Sequence, residues 1–238
     1  MILSKQNIDV WIQCPYKFGK YVINDTFKTI ETNKPSIVKI KNFLAELASH
    51  EMKENIKLSL VDYRTKFTNK FYANKTPSIA ALDVEVEIVK LNKLFSVFAN
   101  NVFIGYNIPV DISIPGTNII YRDFIDFGLS DENKDLTFVE FVNMKEKIYI
   151  KDKLKHWAHY YTLYSFIASS FNKDIKVIFI DPDVVETIEF KFNPNRFEDD
   201  YAQLINLITP IKTSYLIRNL NSCQGCSDIS ECFIDKKE

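Results

Sequence analysis

The most specific chemistry in this chain of 238 residues is carried by four cysteines. Cys14 stands alone near the start; Cys223, Cys226 and Cys232 stand together near the end, spaced C-x2-C-x5-C. Four thiolates complete a soft-metal site, either zinc or an iron–sulfur cluster. Zinc sites usually present two C-x2-C pairs. A distant cysteine followed by proline, with a compact triplet at the other end, fits a cluster better. Convergence of the four would pin the first helix to the last residues.

A second set is made of carboxylates. Asp126 closes the segment Tyr121-Arg122-Asp123-Phe124-Ile125-Asp126, and Glu140 follows 14 residues on in Thr137-Phe138-Val139-Glu140-Phe141-Val142. Two carboxylates on adjacent strands are suited to a divalent cation that activates water and steadies a phosphate. Strand periodicity puts residue 142 on the same face as Glu140. Asp111, on the preceding strand, is a candidate extra ligand.

These groups need a sheet and helices to position them. Ser4 is a fair N-cap for a short helix carrying Val10, Trp11 and Cys14. From Ser36 to about Ile56 an apolar stripe of Val38, Ile40, Phe43, Leu44, Leu47 and Ala48 predicts a helix. Helices are also expected over 59–76 and 79–98. The texture then changes to strands at 102–114, ending at the Pro115-Gly116 turn, 118–129 and 136–143. A long aromatic helix over about 151–171 follows. The apolar run Ile175–Ile180 predicts a buried strand, residues 185–192 an exposed one, and 197–220 a last helix. The order predicts an α/β fold in one domain over 1–238. It has a helical arm at about 36–98, a core at about 100–192, and a C-terminal helix with the cysteine cluster at 197–238.

Composition narrows the class. An apolar fraction of 46% and an aromatic fraction of 14% mark a globular chain. No apolar run is long enough to span a membrane. Met1-Ile2-Leu3-Ser4-Lys5 lacks the pattern of a secretory signal, so a cytoplasmic protein is expected. The net charge of −1 hides an asymmetry. Residues 1–80 hold 13 Lys/Arg against 7 Asp/Glu, residues 81–150 hold 6 against 11, and residues 151–238 hold 11 against 13. A basic first third beside an acidic middle suits a protein that grips a polyanion with one part and cations with another. Arg64, Lys66 and Lys70, interleaved with aromatics, are candidate nucleic-acid contacts; the alternative is an aromatic core with a solvated basic face.

The segment from Leu3-Ser4 to Cys14-Pro15-Tyr16-Lys17-Phe18, together with the terminal cysteine triplet, resembles the iron–sulfur RecB-like nucleases of the PD-(D/E)xK superfamily. That group includes CRISPR-associated RecB-like exonucleases and the AddB nuclease domain. The resemblance implies a mixed sheet flanked by helices, stapled at its termini by a [4Fe-4S] cluster on Cys14, Cys223, Cys226 and Cys232. It implies Mg2+ or Mn2+ held by His50, Asp126 and Glu140, and DNA, single-stranded or with ends, as substrate. Three positions depart from the pattern. Glu46 stands where the family has glycine. Val142 stands where the family's lysine polarises the water; Lys145, Lys147 or a bulged Asn143 are the nearby replacements. The helix motif Gln-x-x-x-Tyr reads His156-Trp157-Ala158-His159-Tyr160, which keeps Tyr160, with Tyr160-x-x-x-Tyr164 as another register. The expectation is therefore a metal-dependent DNA nuclease. The alternatives are an inactive nuclease-like subunit that binds DNA in a replication or recombination complex, and a zinc-stapled protein with no nucleic-acid role.

Overall fold

The computed structural model describes residues 2–14, 18, 35–73, 92, 95–114, 116–142, 158–181 and 186–209. The chain opens with β1 (Ile2–Leu3) and α1 (Lys5–Gln13), followed by α2 (Pro35–Glu54) and α3 (Leu60–Tyr72). A meander of β2 (Val102–Ile114), β3 (Ile119–Ser130) and β4 (Leu136–Phe141) comes next. Then come α4 (Ala158–Phe171), β5 (Ile175–Asp181), β6 (Glu186–Phe192), a 3-10 turn at Pro194–Arg196 and α5 (Phe197–Ile208). Residues 95–99 are helical, and the remainder of the helix expected over 79–98 lies almost wholly outside the described residues.

Local chemistry accounts for several of these boundaries. The Ser4 side chain accepts the Asn7 N–H at 3.2 Å and caps α1. Ser59 and Asp62 form a capping box that starts α3. Gly116, at φ 71°, supplies the left-handed residue of the turn between β2 and β3. In α2 the buried stripe is Ile37, Ile40, Phe43, Leu44, Leu47 and Ala48, whereas Val38 faces solvent. The expected stripe was therefore right except at its first member: positions 37, 40, 44 and 47 keep the helical spacing and 38 falls off it.

The six strands form one mixed sheet in the order β1-β3-β4-β5-β6, with β2 paired to β3. β1 runs parallel to β3, and β4 parallel to β5; the other pairs are antiparallel. β2 pairs along the whole of β3, from Ile119 to Ser130. The opposite edge of β3 is therefore shared end to end. β1 takes Ile120 and Tyr121, and β4 takes Phe127 to Ser130. Between them, residues 122–126 enter neither of these registers among the described residues. This notch is where the candidate site lies.

Helices cover both faces. One core joins Leu3 of β1 and Ile8 and Trp11 of α1 to Leu163 and Tyr164 of α4, Leu204 of α5, and Phe138, Val177 and Phe179 of the sheet. The other joins α2 and α3 to Phe127, Val139, Phe141, Ile178 and Ile180. Strand β5 alternates cleanly between the two, as a strand buried on both faces should. β3 does not. Tyr121 and Ile125 belong to the first core, while Phe127 and Leu129 belong to the second. Residues two apart on a regular strand share a face, so the strand changes face at Asp126. Opposite this point, Asn107 of β2 adopts φ 47°.

Candidate functional site

Asp126 lies at the face change of β3 and is buried. Continuing the register from Phe127↔Val139 by one residue puts it across from Glu140 on β4, which is 2% exposed. Asp126 Oδ2 accepts the Phe141 N–H at 2.7 Å, and Oδ1 is ion-paired with Lys41 from α2. Glu140 points to the opposite helix layer. Its Oε1 accepts the Tyr164 O–H of α4 at 2.5 Å and the ammonium of Lys5 at 2.7 Å. The two carboxylates are thus held from two sides of the sheet, each with its own lysine.

Lys5 is the first residue of α1 and sits in the notch on β3. Its backbone N–H donates to the Asp123 carboxylate, and its Nζ donates to the Phe124 carbonyl at 2.8 Å. Asp123 Oδ1 lies 3.6 Å from the same Nζ, and the Tyr160 ring centroid lies 5.3 Å from it. Burial works against the charge on Lys5, but Glu140, Asp123 and Asp126 outweigh it and hold the ammonium protonated beyond the ordinary lysine range. Burial is also the largest influence on Glu140 and pushes its carboxyl up. Lys5 pulls it back, Asp126 pushes it further, and the balance lies at about 7. Burial and the neighbouring Glu140 push the Tyr164 phenol well above its ordinary value, so it donates its proton in this contact.

The carboxylate oxygens are the donor type that Mg2+ and Mn2+ take. Among the described residues, no group of three or more His, Cys, Asp and Glu is placed to hold a metal ion. A cation on Asp126 Oδ1 would have to displace the Lys41 ammonium. His50 does not join the pair. It is exposed near the end of α2, nine residues beyond Lys41, which is about 13 Å along a helix axis. Asp111 is likewise engaged elsewhere, in a bidentate pair with Arg122 across β2 and β3 at 2.8 Å.

The remaining candidates separate in the same way. Tyr160 is buried against Phe179 and beneath Lys5, while the hydroxyl that reaches Glu140 belongs to Tyr164. Val142 is a core residue, 3% exposed, and its N–H pairs with the Ile180 carbonyl. Lys145, Lys147, Asn143 and His156 lie outside the described residues. Tyr63, Phe67 and Tyr72 of α3 are buried in the second core. Arg64 pairs with Asn92, and Lys70 with Glu46, leaving Lys66 exposed beside Asp62. Cys14 is the C-cap of α1, a half-buried free thiol whose N–H donates to the Val10 carbonyl at 2.8 Å. Cys223, Cys226 and Cys232 lie outside the described residues.

Lys5 and Lys41 were not singled out by the sequence pattern. For Lys5 one signal existed. A cation in the first turn of a helix opposes the macrodipole, so a lysine directly after the N-cap Ser4 calls for a carboxylate partner.

No helix among the described residues is long and apolar enough to cross a membrane. No protein-family description matches the chain, and no curated protein matches it. Among solved structures, the one described as "Crystal structure of SSO0001" aligns with 17% identity and a TM-score of 0.34. The alignment covers 82% of this chain and 97% of that one.

Proposed function

We propose that this chain is a DNA-processing protein with a PD-(D/E)xK-type nuclease core that cleaves phosphodiester bonds with Mg2+ or Mn2+. One observation carries the reading. A buried Asp126–Glu140 pair on adjacent antiparallel strands has a lysine ammonium 2.7 Å from the glutamate. Asp126 and Glu140 would hold the cation, which when bound polarises the phosphate and makes water a better nucleophile. The chain's own part is to fix those carboxylates. The Phe141 N–H orients Asp126, the Tyr164 hydroxyl orients Glu140, and the two helix layers keep bulk water from the pair. Cys14 with Cys223, Cys226 and Cys232 would hold a [4Fe-4S] cluster that ties α1 to the C-terminal segment.

A second reading is a nuclease-like subunit that binds DNA without cutting it, within a replication or recombination complex. A specific observation favours it: each carboxylate already has a cation from the chain, Lys41 on Asp126 and Lys5 on Glu140. Incubation with single- and double-stranded DNA and Mn2+, beside a Glu140→Gln control, separates the two. Cleavage by the parent and not by the variant supports the nuclease. Equal cutting by both would remove Glu140 from the site. Absence of cutting, with DNA affinity that falls steeply as salt rises, supports the binding subunit. No affinity at low salt would count against both.

A further inference from the structure

We propose that Lys5 supplies, from the first helix, the ammonium that the strand position after Glu140 lacks. This rests on the nuclease reading above. The strand position has no route to the role, because Val142 is packed in the core between α1, α4 and the sheet. Lys5 takes the same carboxylate from another direction. Its Nζ lies 2.7 Å from Glu140 Oε1 and 2.8 Å from the Phe124 carbonyl. An ammonium has three N–H groups. Among the described residues, the third meets Asp123 Oδ1 at 3.6 Å, beyond hydrogen-bond distance, and the Tyr160 ring, whose centroid is 5.3 Å away. That leaves one donor for a phosphate oxygen or an attacking water.

The placement is built. β1 fixes the chain against Ile120 and Tyr121 of β3, and the Ser4 cap then starts α1, so the backbone of Lys5 is set by two elements at once. Its N–H is tied to Asp123. The side chain is 12% exposed, and a lysine this enclosed at a helix N-terminus is costly on both counts. Two carboxylates compensate, Glu140 at 2.7 Å and Asp123 at 3.6 Å from the ammonium. Held in this way, Lys5 serves as a fixed cation and donor. In hydrolysis the water oxygen forms the new bond to phosphorus while the bond to the leaving ester oxygen breaks. The water's proton passes to solvent and the leaving oxygen gains one. Lys5 stays an ammonium throughout, so the step needs no further reactant.

The test uses the full chain as purified and the variants Lys5→Met, Lys5→Gln and Lys5→Arg. Single-turnover cleavage of DNA is measured with Mn2+, and Mn2+ affinity is measured separately by electron paramagnetic resonance without DNA. The expected result for Lys5→Met and Lys5→Gln is a fall of about 100-fold in rate. Mn2+ affinity should be equal or higher, because a competing cation has left Glu140. Lys5→Arg should recover part of the rate. Cleavage by Lys5→Gln at the parent rate would overturn the inference and leave the nuclease reading standing. So would joint loss of Mn2+ binding and thermal stability in all three variants, which would mark Lys5 as a staple only. A parent protein that neither cuts nor binds Mn2+ would overturn the nuclease reading itself, and this inference with it.

Discussion

The Nζ of Lys5, on the first residue of α1, lies 2.7 Å from Oε1 of Glu140 on β4, across 135 residues of sequence. The contact joins the start of the chain to the centre of the sheet, and the carboxyl it meets is buried deeply enough to make folding depend on pH. Glu140 is raised from the ordinary carboxyl range to about 7, with burial as the main cause. In the unfolded chain it releases its proton near pH 4.5; in the folded chain it keeps it longer. Between those values the folded state binds more protons, so stability falls as pH rises. Glu140→Gln removes that dependence. With chelator present, the thermal midpoint of the parent should drop relative to the variant as pH rises from about 4.5 to 7. Parallel curves across that window would show that Glu140 titrates normally.

Lys41 and Asp126 make the second ion pair, on the other side of the sheet. The Lys41 side chain is partly exposed, so its ammonium can turn to solvent when another cation takes its place on Asp126. Lys41→Met should therefore raise Mn2+ affinity by removing a competitor from Asp126 Oδ1. Asp126→Asn should lower it while keeping an oxygen for the buried Phe141 N–H. Mn2+ titration followed by paramagnetic resonance reads both. A lower affinity in Lys41→Met would mean that Lys41 organises the carboxylate instead of blocking it.

The sheet was legible because its strands carry their own signals. Ile175–Ile180 reads as a buried strand from its short apolar run, and the meander reads from the change of texture near residue 102 and the Pro115-Gly116 turn. Asp126 and Glu140 could be chosen because the resemblance asks for an Asp and a Glu on successive strands. Their lysines could not, because each comes from an element whose position only the tertiary fold decides. β1 is two residues long, too short for periodicity to reveal that it delivers Lys5 to β3. The pattern also does not show that β3 changes face at Asp126, which turns that carboxylate towards α2 and Lys41. His50 was suggested by the resemblance, yet it is exposed and lies nine residues beyond Lys41, the α2 residue that reaches Asp126. In α3 the aromatic spacing reports core packing, and the basic residues between are its outer face.

Cys14 closes α1 within reach of Trp11 and Phe18, whose rings meet edge to face at 5.6 Å. If it is a cluster ligand, Cys14→Ser should cost colour before it costs fold. Anaerobically purified parent protein should be brown, with iron and acid-labile sulfide. The variant should lose most of both. Zinc in place of iron in the anaerobic parent would replace the cluster with a structural zinc site. Full retention of iron by Cys14→Ser would place the fourth ligand elsewhere.

The helical arm rests on a buried carboxylate of its own. Glu51, at 3% exposure in α2, accepts the Leu58 N–H at 3.0 Å and the Tyr63 O–H at 2.9 Å on Oε1, and the Lys57 ammonium at 3.1 Å on Oε2. It thereby satisfies the turn that joins α2 to α3, where Asn55 adopts φ 51°. Burial, with the Glu51 charge beside it, pushes the Tyr63 phenol far above its ordinary value, so the hydroxyl remains a donor. Glu51→Ala strips the partner from a buried N–H and a buried O–H together, and removes the carboxylate from Lys57, which keeps the Phe98 and Asn101 carbonyls. Losses of this kind cost about 3 kcal/mol or more. The comparison is Glu46 on the same helix, which pairs with Lys70 at the surface. Exposed pairs contribute about 0–1 kcal/mol, so Glu46→Ala should be nearly silent. Urea denaturation at neutral pH should separate the two variants clearly, with Glu51→Gln between them because its amide oxygen keeps one acceptor. Equal midpoints for Glu46→Ala and Glu51→Ala would mean that the α2–α3 turn does not depend on Glu51.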